Sequence, residues 1–350
     1  MSSSSAFTMP PASAILSPPA PILLHLSPAS LQEVTKLANQ KVSVETPYFF
    51  PIAFITLFFI LYLLANVLHN LVLPRVIGRK WHKEIKPEHR RTMVIYILQM
   101  LLTTLALTLQ LSTLSLLQLS FTVEKLNVLR AAACLIAALY LFELVYRYRM
   151  TYPMIFHHAI TCFAMSLSLV MLERLQDPSF ALTGLLWIFQ ATTEQTVFLA
   201  LFMYRLSAPA KTLRPLFRAS AVQSLVFKFA SIAGTVWVWI KYQRQGQGEL
   251  YRAWDALYWT CTIGLAFTQV WGAWVVWKMG QSLEKRYQDK QQKNEEDQLK
   301  DFTPVLSASA SSSHIASTDS SRTPSSQFSS ADLEKAAFET SHANSQLQVA

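Results

Sequence analysis

Three ionisable side chains near the middle of the chain have the types and spacing needed for acid–base chemistry. Glu143 lies late in one apolar stretch, and the adjacent His157 and His158 open the next one, after a short turn at 149–153. Ionisable groups inside a bilayer are costly, so each one marks a candidate site. Glu143 and His158 are equally far from the middle of the turn. In an antiparallel hairpin they would lie at the same depth, roughly 9 Å inside the apolar zone. A carboxylate facing an imidazole predicts a general base.

Structural roles for the same residues stay open. Arg147 follows Glu143 by four residues and could simply neutralise it, and the two histidines could cap a helix start. His158 and Cys162 share a helix face, but no third ligand is adjacent in the sequence. We therefore predict neither a metal site nor a bound cofactor.

A second polar set lies in two later apolar stretches. Trp187, Gln190, Glu194 and Phe198 fall on one face of a predicted helix, and Lys228 of the next stretch lies near the same depth. Glu194 and Lys228 could form a structural ion pair, because each would otherwise be an unpaired charge in a low dielectric. The functional alternative is a cavity the size of a lipid headgroup, with Glu194, Gln190, Lys228 and Trp187 as substrate-binding residues.

The elements that must position these groups are membrane helices. Of 350 residues, 52% are hydrophobic and only 15% charged, against about 25% charged in soluble proteins. About twenty apolar residues cross a bilayer as a helix. The composition predicts an all-α polytopic membrane protein with about seven transmembrane helices. The predicted spans are Tyr48–Leu73, Met93–Leu117, Leu129–Tyr148, Pro153–Leu172, Phe180–Tyr204, Ala219–Ile240 and Trp254–Met279.

The distribution of Lys and Arg predicts the orientation and the domain limits. Basic residues are dense in the first, third and fifth connections and after the last span, which indicates that these regions are cytoplasmic. This bias also accounts for the net charge of +9 without nucleic acid as a partner. We expect a disordered luminal N-tail at 1–47, a first transmembrane helix at 48–74, a six-helix domain at 90–280 and a cytoplasmic, largely disordered Ser-rich tail at 281–350. The first part of this tail, 281–300, mixes charges of both signs and could form a solvated helix.

Three stretches carry a resemblance to a known family. They are Leu139–Tyr146 with its late acid, Pro153–Thr161 with its His pair, and Thr193–Arg205 with its Glu before an apolar run. Together they resemble the TLC domain of ceramide synthases and related multi-pass proteins, over roughly 90–280. Met165-Ser-Leu-Ser-Leu-Val follows the His pair, where true ceramide synthases have an Asp cluster. The likeness is therefore to the divergent branch of fluidity regulators, cargo receptors and acyltransferase candidates.

The resemblance implies one leading helix plus a six-helix barrel that holds an acyl chain. It also implies an endoplasmic reticulum location and a role in sphingolipid or other acyl-lipid metabolism. His157 and His158 would then occupy the reaction centre, with Glu143 and Glu194 lining it.

Two functional hypotheses follow. The first is an acyl-CoA-dependent N- or O-acyltransferase of lipid homeostasis that uses the His pair, with acyl-CoA as co-substrate and an amine or hydroxyl lipid of ceramide-like chemistry as acceptor. The second is a non-enzymatic lipid-sensing or trafficking scaffold. Membrane lipids and acyl chains are the expected partners, together with a homodimer or heterodimer. A seven-helix receptor is disfavoured because no Cys lies in a predicted luminal loop, and a transporter because no inverted repeat is found.

Overall fold

The computed structural model describes residues 21–40, 45–175, 177–246 and 249–302, and every regular element in these ranges is helical. The α-helices are α1 (Pro28–Gln40), α2 (Glu45–Val67), α3 (Leu73–Ile77), α4 (Arg79–Lys83), α5 (Pro87–Ser112), α6 (Val123–Tyr146), α7 (Tyr152–Leu175), α8 (Ser179–Thr192), α9 (Gln195–Arg205), α10 (Ala210–Val238) and α11 (Glu249–Phe302). Short 3₁₀ turns occupy Pro21–His25 and Leu114–Gln118, and π-turns occupy Leu68–Val72 and Trp239–Gln243.

Six of the described helical segments are long and apolar enough to cross a membrane. They are Ile52–Ile77, Pro87–Gln118, Val123–Tyr146, Tyr152–Leu172, Ser179–Arg205 and Ala210–Gln243. The predicted all-α polytopic membrane architecture is therefore confirmed. The predicted seventh span, Trp254–Met279, lies in the first half of α11 but is not among these six segments. Its many Trp and Thr residues make it less apolar than the others.

The N-terminal segment differs from the prediction of a disordered tail at 1–47. Residues 21–40 form a 3₁₀ turn and α1, with Ile22 fully buried. Ser30 of α1 is also buried, and its hydroxyl accepts a hydrogen bond from the Phe121 backbone N–H at 3.3 Å, just before α6. The disorder prediction is thus wrong for 21–40, because contacts with the bundle order this stretch. Residues 1–20 lie outside the described part of the chain.

The centre of the bundle is filled by α8. This helix packs against α5, α6, α7 and α10, and all but two of its fourteen residues are buried. A helix that is apolar on all sides belongs in a core. The leading α2, by contrast, packs mainly against α6 and leaves a face of large apolar side chains exposed, such as Ile55, Phe59 and Leu63. The described helices thus leave no open lumen at the level of α8.

The α6–α7 hairpin is defined by clear local signals. Thr122 caps α6, because its hydroxyl accepts from the Lys125 backbone N–H at 3.3 Å. α6 ends at Tyr146, and α7 begins at Tyr152 with Pro153 in its first turn, where a missing N–H costs nothing. The short connection makes the two helices antiparallel neighbours, as the turn at 149–153 predicted.

The C-terminal part begins with a helix, in line with the possible solvated helix at 281–300. α11 continues through Phe302, so the stretch 281–302 of the predicted, largely disordered tail is helical. The rest of the predicted Ser-rich tail, residues 303–350, lies outside the described residues. The chain divides into two compact units, Met1–Glu296 and Asp297–Ala350. All packing reported below belongs to the first unit.

Candidate functional site

The predicted facing of Glu143 and His158 is confirmed. Nε2 of His158 lies 3.1 Å from Oε2 of Glu143, across the α6–α7 hairpin. Both residues are buried, with 0% and 4% of their surface exposed. Because the connecting turn is short, the two residues lie at the same depth, and their side chains meet inside the bundle. This geometry brings together a carboxylate and an imidazole in a region with little water.

The alternative partner of Glu143 is present at the same time. Arg147 Nη1 donates to Oε1 of Glu143 at 2.8 Å, so the predicted i,i+4 pair forms on the other carboxylate oxygen. A third contact was not predicted: Gln99 Nε2 of α5 donates to Oε2 at 2.5 Å. Gln99 is an amide inside the apolar run of the second predicted span, and that is its one signal in the sequence. Glu143 therefore contacts three neighbouring side chains, those of Arg147, Gln99 and His158.

These contacts decide which nitrogen of His158 is the base. A carboxylate that pairs with Arg147 and accepts from Gln99 is ionised and acts only as an acceptor. In its neutral form His158 therefore carries its proton on Nε2 and keeps a lone pair on Nδ1. Nδ1 is buried without a hydrogen-bond partner among the described residues. The Tyr140 ring lies against this imidazole, with ring centroids 4.1 Å apart.

His157 has the opposite tautomer by the same reasoning. Its Nδ1 lies 3.2 Å from the Thr268 hydroxyl of α11. That hydroxyl already donates to the Leu265 carbonyl at 2.9 Å, so it accepts from Nδ1–H of His157. The lone pair of His157 is then on Nε2. The two imidazole centroids are 5.6 Å apart, and His157 is only partly buried.

The predicted ion pair between Glu194 and Lys228 is also present. Lys228 Nζ contacts Oε1 of Glu194, and both side chains are largely shielded from solvent. Glu194 lies at an interruption between α8 and α9 that the predicted continuous helix 180–204 did not include. Thr193 and Gln195 donate to the freed carbonyls of Phe189 and Thr192, at 3.0 and 2.5 Å. Irregular backbone at membrane depth requires such internal satisfaction.

The two charged clusters form one centre. Tyr140 is close enough to both Glu143 and Glu194 to interact electrostatically with each. His157 interacts in the same way with Lys228. The Thr268 hydroxyl, which contacts His157, brings α11 into this centre, and Gln99, which contacts Glu143, brings in α5. Every helix from α5 onward thus supplies or adjoins a polar group of this centre, which balances its charge through two carboxylates and two cations.

The remaining predicted site residues, Trp187 and Gln190, lie in α8. Trp187 is buried against Tyr258, with stacked rings 5.9 Å apart. Its Nε1 has no hydrogen-bond partner within the described residues, and neither does the amide of Gln190. The interruption after Thr192 ends the helical register, so the single face predicted through Glu194 and Phe198 is wrong. No described contact joins Trp187 or Gln190 to the histidines.

Metal and cavity geometry complete the site. In the described ranges, no group of three or more His, Cys, Asp or Glu side chains is placed to hold a metal ion. A cleft between α6, α7 and α8 is lined by residues such as Leu129, Met165 and Ser168, and it has room for about one water molecule. An acyl chain would need these helices to separate. A search with the full chain finds no matching protein-family model, no matching curated protein and no matching solved structure.

Proposed function

We propose that this chain is a membrane protein of lipid homeostasis whose buried His157–His158 centre acts as a general base in acyl transfer from acyl-CoA to an amine or hydroxyl lipid. The observation that supports this proposal best is the free Nδ1 of His158. It is buried and has no hydrogen-bond partner in the described part of the chain, while the opposite nitrogen contacts the Glu143 carboxylate. Carboxylate-oriented imidazoles of this kind are efficient proton acceptors.

The residues present account for each proton transfer in the proposed step. Nδ1 of His158 accepts the proton of the acceptor N–H or O–H as that atom attacks the thioester carbonyl of acyl-CoA. The C–S bond then breaks, and the imidazolium returns the proton to the departing thiolate of CoA. Glu143 stabilises the transient imidazolium, and Arg147 and Gln99 keep Glu143 in place. The resemblance to TLC domains supports the substrate class and an endoplasmic reticulum location.

We further propose a luminal N-terminus and a cytoplasmic C-terminus. The support is the density of Lys and Arg in the first connection, 74–91, compared with the sparse basic residues of the next one. The Glu143–His158 pair would then lie in the cytoplasmic half of the bilayer, on the side where acyl-CoA is present.

A lipid-sensing or trafficking scaffold is the second candidate. The observation that favours it is the dense packing of the bundle: α8 fills the centre, and the cleft beside it has space for about one water molecule. In that case the polar contacts of the centre only hold the helices together, and the histidines perform no chemistry.

Comparison of lipid profiles distinguishes the two. Cells that lack the gene are complemented with the wild type, with the double variant His157→Ala/His158→Ala, or with Ser166→Ala, an exposed position on the same helix. Acyl transfer requires that the double variant fail to restore the profile while reaching wild-type membrane levels, because loss of a general base typically costs about 10²–10⁴ in rate. Full restoration by the double variant would favour the scaffold.

A further inference from the structure

The segment that follows the first membrane helix forms a folded, strongly basic surface. Between Arg75 and Arg91 the chain has seven Lys or Arg and two Glu, a net charge of +5. Most of these cations are exposed: Arg75, Arg79, Lys80, Lys83, Lys86 and Arg91. We call the surface formed by residues 75–91 the basic corner. Topological bias accounts for positive charge here, but it does not require the segment to be ordered.

The order of the basic corner comes from Trp81. The chain reverses at Gly78, whose φ of +67° suits glycine, and so α4 folds back beside the end of the first span. Trp81 of α4 is 1% exposed and meets the ring of His69 edge to face, with ring centroids 5.6 Å apart. His69 lies in the π-turn Leu68–Val72, and the wider turn at this point is a device often found at functional sites.

Arg90 fastens the corner from the other side. Its Nε donates to the Ile85 carbonyl at 2.9 Å, and its Nη2 donates to the His82 carbonyl at 3.0 Å. The guanidinium also lies over the Trp81 ring, 5.9 Å from its centroid. A Lys could not make this pair of directed contacts, because it lacks the planar fork. The exposed Lys and Arg side chains are therefore displayed from a fixed backbone.

The interior of the corner also has an unused polar atom. His69 Nδ1 is buried and has no hydrogen-bond partner among the described residues. The same imidazole is close enough to Arg90, Arg91 and His82 to interact electrostatically with each of them. Arg90, Arg91 and His82 thus lie within electrostatic range of this imidazole, close to the exposed Lys side chains. Phosphate oxygens are the ligands that such an arrangement suits best.

We propose that the basic corner binds the phosphorylated headgroup of an anionic phospholipid, of the phosphoinositide type, in the leaflet that the first span enters. A lipid is the expected ligand because the basic corner directly continues Ile52–Ile77, a membrane span, so its cations lie at headgroup level. Lipid binding by the basic corner does not depend on acyl transfer by the histidine centre.

The test uses the full-length protein in a neutral detergent and three soluble probes: dioctanoyl phosphatidylinositol 4-phosphate, dioctanoyl phosphatidylcholine and coenzyme A. Binding is measured by microscale thermophoresis at fixed salt. We expect the phosphoinositide to bind and phosphatidylcholine not to bind. The variant Lys80→Gln/Lys83→Gln should weaken phosphoinositide binding at least about tenfold. The matched control Lys285→Gln/Lys293→Gln removes two exposed cations from α11 and should leave binding unchanged.

A charge-conserving variant tests the folded geometry. Arg90→Lys keeps the net charge but removes the two directed contacts with Ile85 and His82, and we expect several-fold weaker binding. Equal binding by Arg90→Lys, or equal weakening by the α11 control, would reduce the effect to general electrostatic attraction and overturn the proposal. Binding of coenzyme A in preference to the phosphoinositide would also overturn it, in favour of a soluble phosphate ligand.

Discussion

The His158 imidazole donates through Nε2 to the Glu143 carboxylate at 3.1 Å, and this contact leaves its Nδ1 lone pair unused in a buried centre. The orientation is set by the protein and not by a ligand, because Arg147 and Gln99 hold the carboxylate from two other directions. His157 is fixed in the opposite tautomer by Thr268. In their neutral forms the two imidazoles therefore present lone pairs on unlike ring positions, before any substrate enters.

Removal of Glu143 alone should strongly destabilise the protein. Glu143→Ala leaves the Arg147 guanidinium, 13% exposed, without its carboxylate, and it also leaves Gln99 and His158 unpaired. Loss of one partner of a buried ion pair costs about 3–5 kcal/mol. We expect a clear fall in the thermal midpoint of the purified protein in detergent.

The double variant Glu143→Ala/Arg147→Met is the matched control for this effect. It removes both charges, so most of the lost stability should return, although acyl transfer should not. If the single and double variants are equally unstable, the loss of stability in Glu143→Ala does not come from the charge of Arg147.

The Glu194–Lys228 pair should behave in the same way at a different place. Lys228→Met leaves the Glu194 carboxyl without its cationic partner beside the interruption between α8 and α9, and we expect a lower thermal midpoint. Lys228→Met/Glu194→Gln should recover most of this loss. A double-variant cycle measures the coupling, and a coupling below about 0.5 kcal/mol would mean that the two side chains act independently.

Both contacts were predictable because few partners exist inside a membrane. A short turn makes Glu143 and His158 equidistant from the reversal, so depth alone pairs them. Glu194 and Lys228 are fixed charges at similar depth, and each needs the other. The wider packing need not be known for such pairs, because an unpaired charge inside a membrane costs more than most alternative side-chain arrangements.

Other features depended on packing between distant segments. Gln99 is 44 residues from Glu143, and nothing in the apolar run around it indicates which helix it faces. The interruption at Thr193–Glu194 contains neither Gly nor Pro, and its one signal is a run of residues that prefer helix caps. Ser27 before Pro28 is a cap signal as well: its hydroxyl accepts from the Ser30 N–H at 3.2 Å. The surrounding Pro-rich sequence outweighed it and led to the wrong expectation of disorder.

Tyr140 should be dispensable for folding. Its hydroxyl is buried and lacks a partner among the described residues, so Tyr140→Phe removes an uncompensated polar group and should leave the thermal midpoint unchanged or slightly higher. The contrasting variant is Tyr258→Phe, because the Tyr258 hydroxyl donates to Thr235 at 3.2 Å. That variant should lose about 1 kcal/mol. A larger loss for Tyr140→Phe than for Tyr258→Phe would indicate a structural partner for Tyr140.

Asp177 should make the protein more stable in mild acid than at neutral pH. This carboxyl lies outside the six segments, accepts from the Ser179 N–H and the Tyr251 hydroxyl, both at 2.8 Å, and is fully buried. Burial raises its pKa above the ordinary value. The folded state therefore binds the proton more tightly than the unfolded state. Stability is greatest below the unfolded pKa of about 3.9 and declines as pH rises through the folded pKa.

The variant Asp177→Asn checks this pH dependence. Asparagine keeps an acceptor for Ser179 but has no charge, so the variant should be at least as stable as wild type at pH 7 and should show a smaller change between pH 4 and pH 7. The measurement is the thermal midpoint in detergent at both values. If the thermal midpoint of the variant changes between the two pH values as much as that of the wild type, another group causes the pH dependence.

Cysteine labelling tests the membrane orientation that the positive-inside bias predicts. Single cysteines are introduced at Lys83 of the basic corner and at Leu24 of the N-terminal 3₁₀ turn, both exposed, in a background with Cys134, Cys162 and Cys261 replaced by Ala. In intact, cytoplasmic-side-out microsomes, a membrane-impermeant maleimide should label Lys83→Cys at once. Leu24→Cys should react only after permeabilisation, because one membrane span, Ile52–Ile77, separates the two positions. Labelling of Leu24→Cys alone in sealed vesicles would invert the topology. The Glu143–His158 pair would then lie on the luminal side, away from acyl-CoA, and the proposed acyl transfer would have no donor.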